Sequence, residues 1–87
     1  MPEKIHFELT AHAVAVMTAR RISKVWVEHV LMTPERIESD RADPDLRHAL
    51  GRIPERDDRI LSVVYNKNTE PWRVVTAYFD RTMRDKL

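Results

Sequence analysis

Ile60-Leu61-Ser62-Val63-Val64-Tyr65 and Trp72-Arg73-Val74-Val75-Thr76-Ala77-Tyr78-Phe79 are two runs dominated by β-branched and aromatic residues, with Asn66-Lys67-Asn68-Thr69-Glu70-Pro71 between them. Such side chains fit a pleated, half-buried surface, so the spacing predicts an antiparallel hairpin with a loop in which Asn tolerates left-handed backbone angles. Upstream, Leu46 to Ile53 alternates roughly between apolar and polar residues and predicts another strand, which contains the only glycine, Gly51. Pro54 to Asp58 reads as a polar turn, Asp43-Pro44-Asp45 has turn chemistry, and Arg36 to Asp40 fits a short strand.

The first third has a different period. Ile5-His6-Phe7-Glu8-Leu9 alternates apolar with polar and suits a short edge strand. Thr10 then offers an N-cap to Ala11–Arg20, a helix of about three turns whose cations fall at the C-terminal end, where the helix dipole favours them. Ser23 is a second N-cap, followed by Val25, Trp26, Val27, Val30 and Leu31 on one broad apolar face, and Thr33-Pro34 stops that helix. Two N-terminal helices packed on a three- or four-stranded antiparallel sheet make an α+β fold. At 87 residues the chain forms a single domain, 1–87.

Several chemistries are excluded at once. No cysteine is present, so there are no disulfides, thiolate metal sites or thiol nucleophiles. A single glycine cannot build a dinucleotide fingerprint or a P-loop. None of Ser23, Ser39 and Ser62 sits in a nucleophile elbow, and His6, His12, His29 and His48 lack the i, i+4 spacing of a helical metal pair. No metal and no cofactor are therefore expected. The longest stretch without Asp, Glu, Lys or Arg, Leu9 to Ala19, is eleven residues, about half a membrane span, so no membrane partner is expected. The first six residues carry Glu3 and lack an apolar signal core, which predicts a cytoplasmic protein.

Fifteen basic residues meet fourteen acidic ones, a net charge of +1, far from the balance of a strongly basic nucleic-acid binder. Eleven of those cations are Arg, the side chain suited to bidentate phosphate contacts. They are unevenly spread: Arg20-Arg21-Ile22-Ser23-Lys24 holds three cations and no acid, whereas Glu35 to Asp45 holds five acids against two Arg. A local phosphate site is compatible with this near-neutral total, and so is a solvated surface whose charges pair across elements.

His12-Ala13, then Arg20, Ile22-Ser23 and Val74-Val75-Thr76-Ala77-Tyr78, followed by the basic tail of Arg81 and Arg84, resembles the pattern of the small bacterial family called domain of unknown function 4258. That pattern has His-Ala on the first helix, an Arg four residues later, another after four more, Gly-Ile-Ser at the second helix and a closing hairpin near Val-Val-Thr-Ala-Tyr. Val16 stands where the first Arg is usual, and Arg21 where the pattern has Gly. In topology the family looks like the RelE-like and BrnT-like toxins, metal-independent ribonucleases often neutralised by a partner antitoxin. The resemblance thus implies a toxin-like ribonuclease or RNA-binding domain with RNA and an antitoxin-like protein as partners.

Metal-free RNA cleavage needs a base for the 2′-hydroxyl proton, an acid for the leaving oxygen and cations for the phosphorane. His12 is the acid/base candidate, since histidine titrates near neutrality. Thr76 and Tyr78 offer hydroxyls on one face of the final strand, and Arg20, Arg21, Arg73, Arg81 and Lys86 are the phosphate and backbone contacts. Each residue also has a structural reading. His12 can cap the helix or hydrogen-bond the sheet, Arg20 and Arg21 can complement the helix dipole, and Thr76 and Tyr78 are good strand formers. Trp26 belongs to the core by its spacing with Val30, and Trp72 to the packing of the hairpin. The alternative function is a non-catalytic interaction module that dimerises or binds a partner protein through a sheet edge, which Val16, the near-zero charge and the Glu35–Asp45 stretch favour.

Overall fold

The computed structural model describes residues 6–83, so Ile5 of the expected edge strand and Arg84 and Lys86 of the basic tail lie outside the described residues. In chain order the elements are β1 (Phe7–Leu9), α1 (Ala11–Arg20), α2 (Lys24–Met32), β2 (Arg36–Ser39), β3 (Leu46–Ile53), β4 (Arg59–Asn66) and β5 (Trp72–Phe79). Single turns of 3-10 helix follow β3 at Pro54–Arg56 and β5 at Arg81–Met83. The sheet order is β1-β5-β4-β3-β2. Three or four strands were expected and five are present, because Phe7–Leu9 joins one edge and Arg36–Ser39 forms the other. The former pairs parallel with Trp72–Val74, and the other pairings are antiparallel.

Both helices cover one face, α1 along β5 and α2 along β3 and β4. Strand alternation sends Leu61, Val63 and Tyr65 of β4 into that layer, where they meet Met17, Val27 and Val30 from the helices. Ile60, Ser62, Val64 and Leu50 turn to the opposite face and are buried there as well. Gly51 lets α2 come close: a Cβ at this position would stand 3.2 Å from Cγ2 of Val30. Trp26 is half-buried and packs against this core.

The helix ends explain the local sequence. Thr10 Oγ1 accepts from the Ala13 N–H at 3.1 Å, and Ser23 Oγ from the Val25 N–H at 3.1 Å, so both expected caps are made. At the end of α1 the Ile22 N–H donates to Met17 O at 2.9 Å and the Arg21 N–H to Thr18 O at 3.3 Å. This is a Schellman closure, completed by the buried Ile22 and Met17 side chains. It requires a left-handed residue, and Arg21 takes that place with φ 56°. The glycine of the family pattern at this position has the same physical cause.

Two details of the strands go beyond the sequence pattern. The β4–β5 loop contains no left-handed Asn: the positive-φ residues described are Arg21, Asp57 and Asp58. Asn66 turns the loop instead through its side chain, whose Oδ1 accepts from the Asn68 N–H at 2.9 Å. The hairpin also contains a bulge, since Tyr65 pairs with Val74 but Val64 with Thr76, leaving Val75 unmatched.

Leu61 is fully buried, so Leu61→Ala is expected to lower unfolding stability by about 2–5 kcal/mol, whereas Val25→Ala, at a site 72% exposed, changes it by less than about 0.5. Arg21→Gly relieves a left-handed conformation costing about 1–2 kcal/mol and adds about 0.5–1 of unfolded-state freedom. Urea denaturation should therefore show a gain of up to about 1 kcal/mol.

Candidate functional site

β1 covers β5 through Val74 only, and beside the remainder of β5 opens a groove of about 730 Å³ lined by Arg20, Arg56, Arg59, Thr76, Tyr78, Phe79 and Arg81. The four guanidinium groups come from separate elements: the last turn of α1, the two turns flanking the sheet, and the start of β4. Arg56 is held by its aromatic neighbours, 5.2 Å from the Phe79 ring centre and 5.7 Å from that of Trp26, which meet each other edge to face at 6.3 Å. Asp80 shapes the turn carrying Arg81, accepting at Oδ1 from the Thr82 N–H at 3.0 Å and the Thr82 hydroxyl at 2.6 Å. Among the described residues Arg20, Arg59 and Arg81 make no ion pair, and no carboxylate lines the groove.

The groove gathers Arg20, Thr76, Tyr78 and Arg81 from the residues singled out in the sequence. His12, Arg21 and Arg73 do not line it. His12 is exposed on the first turn of α1, eight residues and thus about 12 Å along the axis from Arg20. Arg73 is exposed near the start of β5, five residues or about 17 Å from Tyr78. Arg21 closes the helix. Arg56 and Arg59 went unnoticed in the sequence, where Pro54-Glu55-Arg56-Asp57-Asp58-Arg59 has the mixed charge of an ordinary turn; only the placement of the β4 start beside the β5 end brings them in. Trp72 stacks on Tyr65 with ring centres 4.9 Å apart, a packing contact within the hairpin. Burial there raises the Tyr65 hydroxyl pKa, an effect that Arg47 opposes.

On the face of the sheet away from the helices, His48 Nε2 lies 2.7 Å from Asp40 Oδ1, both side chains being partly buried. That contact, followed by the backbone N–H groups of Asp43 and Ala42 on Oδ2, holds the Asp40 carboxyl below its ordinary pKa of 3.8. Asp40 thereby ties the β2–β3 connection to β3. Among the described residues no three His, Asp or Glu side chains gather as metal ligands, and no helix is long and apolar enough to cross a membrane.

These features define a small α+β domain with an arginine-lined groove at the end of its central hairpin. The family model described as Domain of unknown function (DUF4258) matches residues 9–79, and the chain belongs to that family. The match takes in Arg20, Arg56, Arg59, Thr76 and Tyr78 and stops short of Arg81. No curated protein and no solved structure is detectably similar to the chain.

A lowered carboxyl pKa stabilises the fold above the unfolded-state value, and that stability is lost as pH falls through the folded-state value. The melting-temperature advantage of the wild type over Asp40→Asn should therefore be full at pH 5–7, and should shrink once the pH falls below about 3.8. A difference unchanged down to pH 2, followed by circular dichroism, would show that the Asp40 charge contributes nothing.

Proposed function

We propose that the protein is a metal-independent RNA-binding domain that holds the sugar–phosphate backbone in the groove at the end of β5. The observation that carries this reading is the convergence of Arg20, Arg56, Arg59 and Arg81 without an acidic residue among the described lining. Guanidinium groups bind phosphate oxygens bidentately, and four arginines lining one groove suit a chain of phosphates better than a single anion. The hydroxyls of Thr76 and Tyr78 in the same groove can contact the 2′-hydroxyl that distinguishes RNA from DNA. A likeness to RelE-like and BrnT-like toxins, which the sequence motifs imply and no solved structure matches, would agree with this reading.

Cleavage, the further step of those toxins, has partial support. The arginines supply charge stabilisation for a phosphorane and Tyr78 a proton donor, but the groove has no imidazole or carboxylate lining to serve as a general base. With His12 at the far end of α1, binding is the activity this geometry favours. A second reading, the interaction module, rests on one observation: beyond Val74 the outer edge of β5 has no strand partner among the described residues. An antitoxin-like protein or a second copy of the chain would add a strand there.

Fluorescence anisotropy with a labelled single-stranded RNA should show log K falling with log salt concentration, by about 0.7 per phosphate contact. Arg59→Ala and Arg81→Ala should each weaken binding and reduce that slope by about 0.7, while Lys67→Ala in the β4–β5 loop should do neither. Arginine variants that bind like the wild type would refute the RNA reading. In cells, induced expression that leaves RNA intact for both wild type and Tyr78→Phe fits binding without cleavage; fragmentation by the wild type alone would make Tyr78 a catalytic residue.

A further inference from the structure

Tyr78 lines two cavities. One is the arginine groove; the other, about 330 Å³, lies on the face of the sheet away from the helices and is bounded by Glu38, Asp40, His48, Ser62 and Asp80. The second cavity has one unusual wall. Ser62 is 1% exposed, yet its Oγ has no hydrogen-bond partner among the described residues. A buried hydroxyl is normally paired, because leaving it unpaired forfeits its hydration with nothing in return. The sequence has an apolar option at this position, since the flanking Leu61 and Val63 fill the other face with aliphatic side chains.

The carboxylates around this hydroxyl are unequally engaged. Asp40 uses Oδ1 on His48 and Oδ2 on two backbone N–H groups. Glu38 pairs through Oε2 with Arg36 Nε at 3.0 Å. Asp80 engages Oδ1 with Thr82, and its Oδ2 has no partner among the described residues. The cavity lining therefore holds a hydroxyl able to donate and a carboxylate oxygen able to accept, and it shares Tyr78 with the arginine groove.

We infer that this cavity receives the base of the nucleotide whose phosphate lies in the arginine groove, and that it selects guanine. The inference rests on the RNA-binding reading for its phosphate and on Ser62 and Asp80 for its base. Guanine presents an acceptor, O6, beside two adjacent donors, N1–H and the N2 amino group. Ser62 Oγ donates to the first, and Asp80 Oδ2, the carboxylate oxygen that Thr82 leaves open, accepts from the other two. Adenine offers a single amino donor beside an unprotonated N1, which would face the carboxylate with a lone pair. Cytosine likewise sets an unprotonated N3 beside its amino group, and uracil has one N–H. Splayed-out bases read on their Watson–Crick edge and stacked on an aromatic ring are the usual mode of single-stranded RNA recognition, and Tyr78 is the aromatic residue that lines this cavity. A guanidinium group from a protein partner also carries adjacent N–H donors, but it has no acceptor for Ser62 and no phosphate for the neighbouring arginines.

Titration of the full chain with the four nucleosides, with methylguanidinium and with a uridine decamer, followed by amide NMR shifts, separates the two readings. Guanosine is expected to bind at least about tenfold more tightly than adenosine, cytidine or uridine. Ser62→Ala and Asp80→Asn should each abolish that preference, and Ser62→Ala should leave decamer affinity within about twofold. Ser62→Ala removes only an unpaired atom, so its fold is not at risk, and its result stands whatever the Asp80 variant does to the adjacent turn. Equal binding of all nucleosides, absence of guanosine binding, or methylguanidinium binding as tight as guanosine would overturn the base pocket. Decamer binding with no nucleoside preference would leave the RNA groove standing alone. Guanosine preference without decamer binding would keep the pocket and reject the groove.

Discussion

The geometry of the molecule hangs on Thr10. Its N–H donates to Val74 O at 3.0 Å, its hydroxyl reaches Val75 O at 3.3 Å, and the same oxygen accepts from the Ala13 N–H at 3.1 Å. One residue thus ends the parallel β1–β5 pairing, starts α1 and binds the bulge of β5. In an unbroken strand, residues three apart face opposite sides. Val74 and Ala77 are both in the core, and this parity change occurs at Val75. The same step turns Thr76 and Tyr78 to the uncovered face. With α1 anchored to the bulge, its ten residues run about 15 Å along β5 and deliver Arg20 to the groove.

The distribution of charge follows from which acids the fold employs. Glu35 accepts the Arg52 backbone N–H at 2.7 Å, Glu38 pairs with Arg36, Asp40 with His48, and Asp43 caps the Asp45 N–H at 2.9 Å. The acidic stretch from Glu35 to Asp45 is thus largely committed to shaping β2 and the turn into β3. None of its residues lines the arginine groove, although Glu38 and Asp40 border the neighbouring cavity that shares Tyr78 with it. A net charge of +1 conceals this separation, because a total carries no information about position.

Elements defined by local periodicity were readable from the sequence. Leu46–Ile53, Trp72–Phe79 and Ala11–Arg20 appear with the expected bounds, and Thr10 and Ser23 are the expected caps. What stayed hidden depends on pairs of residues far apart in the chain. The parallel pairing of Phe7–Leu9 with Trp72–Val74 has no local signature, and neither has a bulge whose cause is Thr10, sixty-five residues before Val75. Arg56 and Arg59 look like turn residues until the sheet order sets them beside Tyr78. Ser62 looks like one polar residue in an apolar strand. His12 stood out because of its chemistry alone, and the axial rise of α1 separates it from the groove.

The arginine groove and the unpaired edge of β5 are two descriptions of one stretch of chain. Backbone beyond Val74 can accept an added strand, and the side chains of Thr76 and Tyr78 line the groove beside it. A strand docked on that edge would lie against the guanidinium groups and compete with a phosphate backbone for the same space. On the proposed readings, an RNA and an edge-binding protein would exclude one another, and by linkage each would weaken the other by the same factor. A neutralising partner needs no separate regulatory site on such a fold. Short, acidic and extended is the chemistry that both the edge and the arginines would accept, since its backbone would complete the sheet and its carboxylates would replace the phosphates.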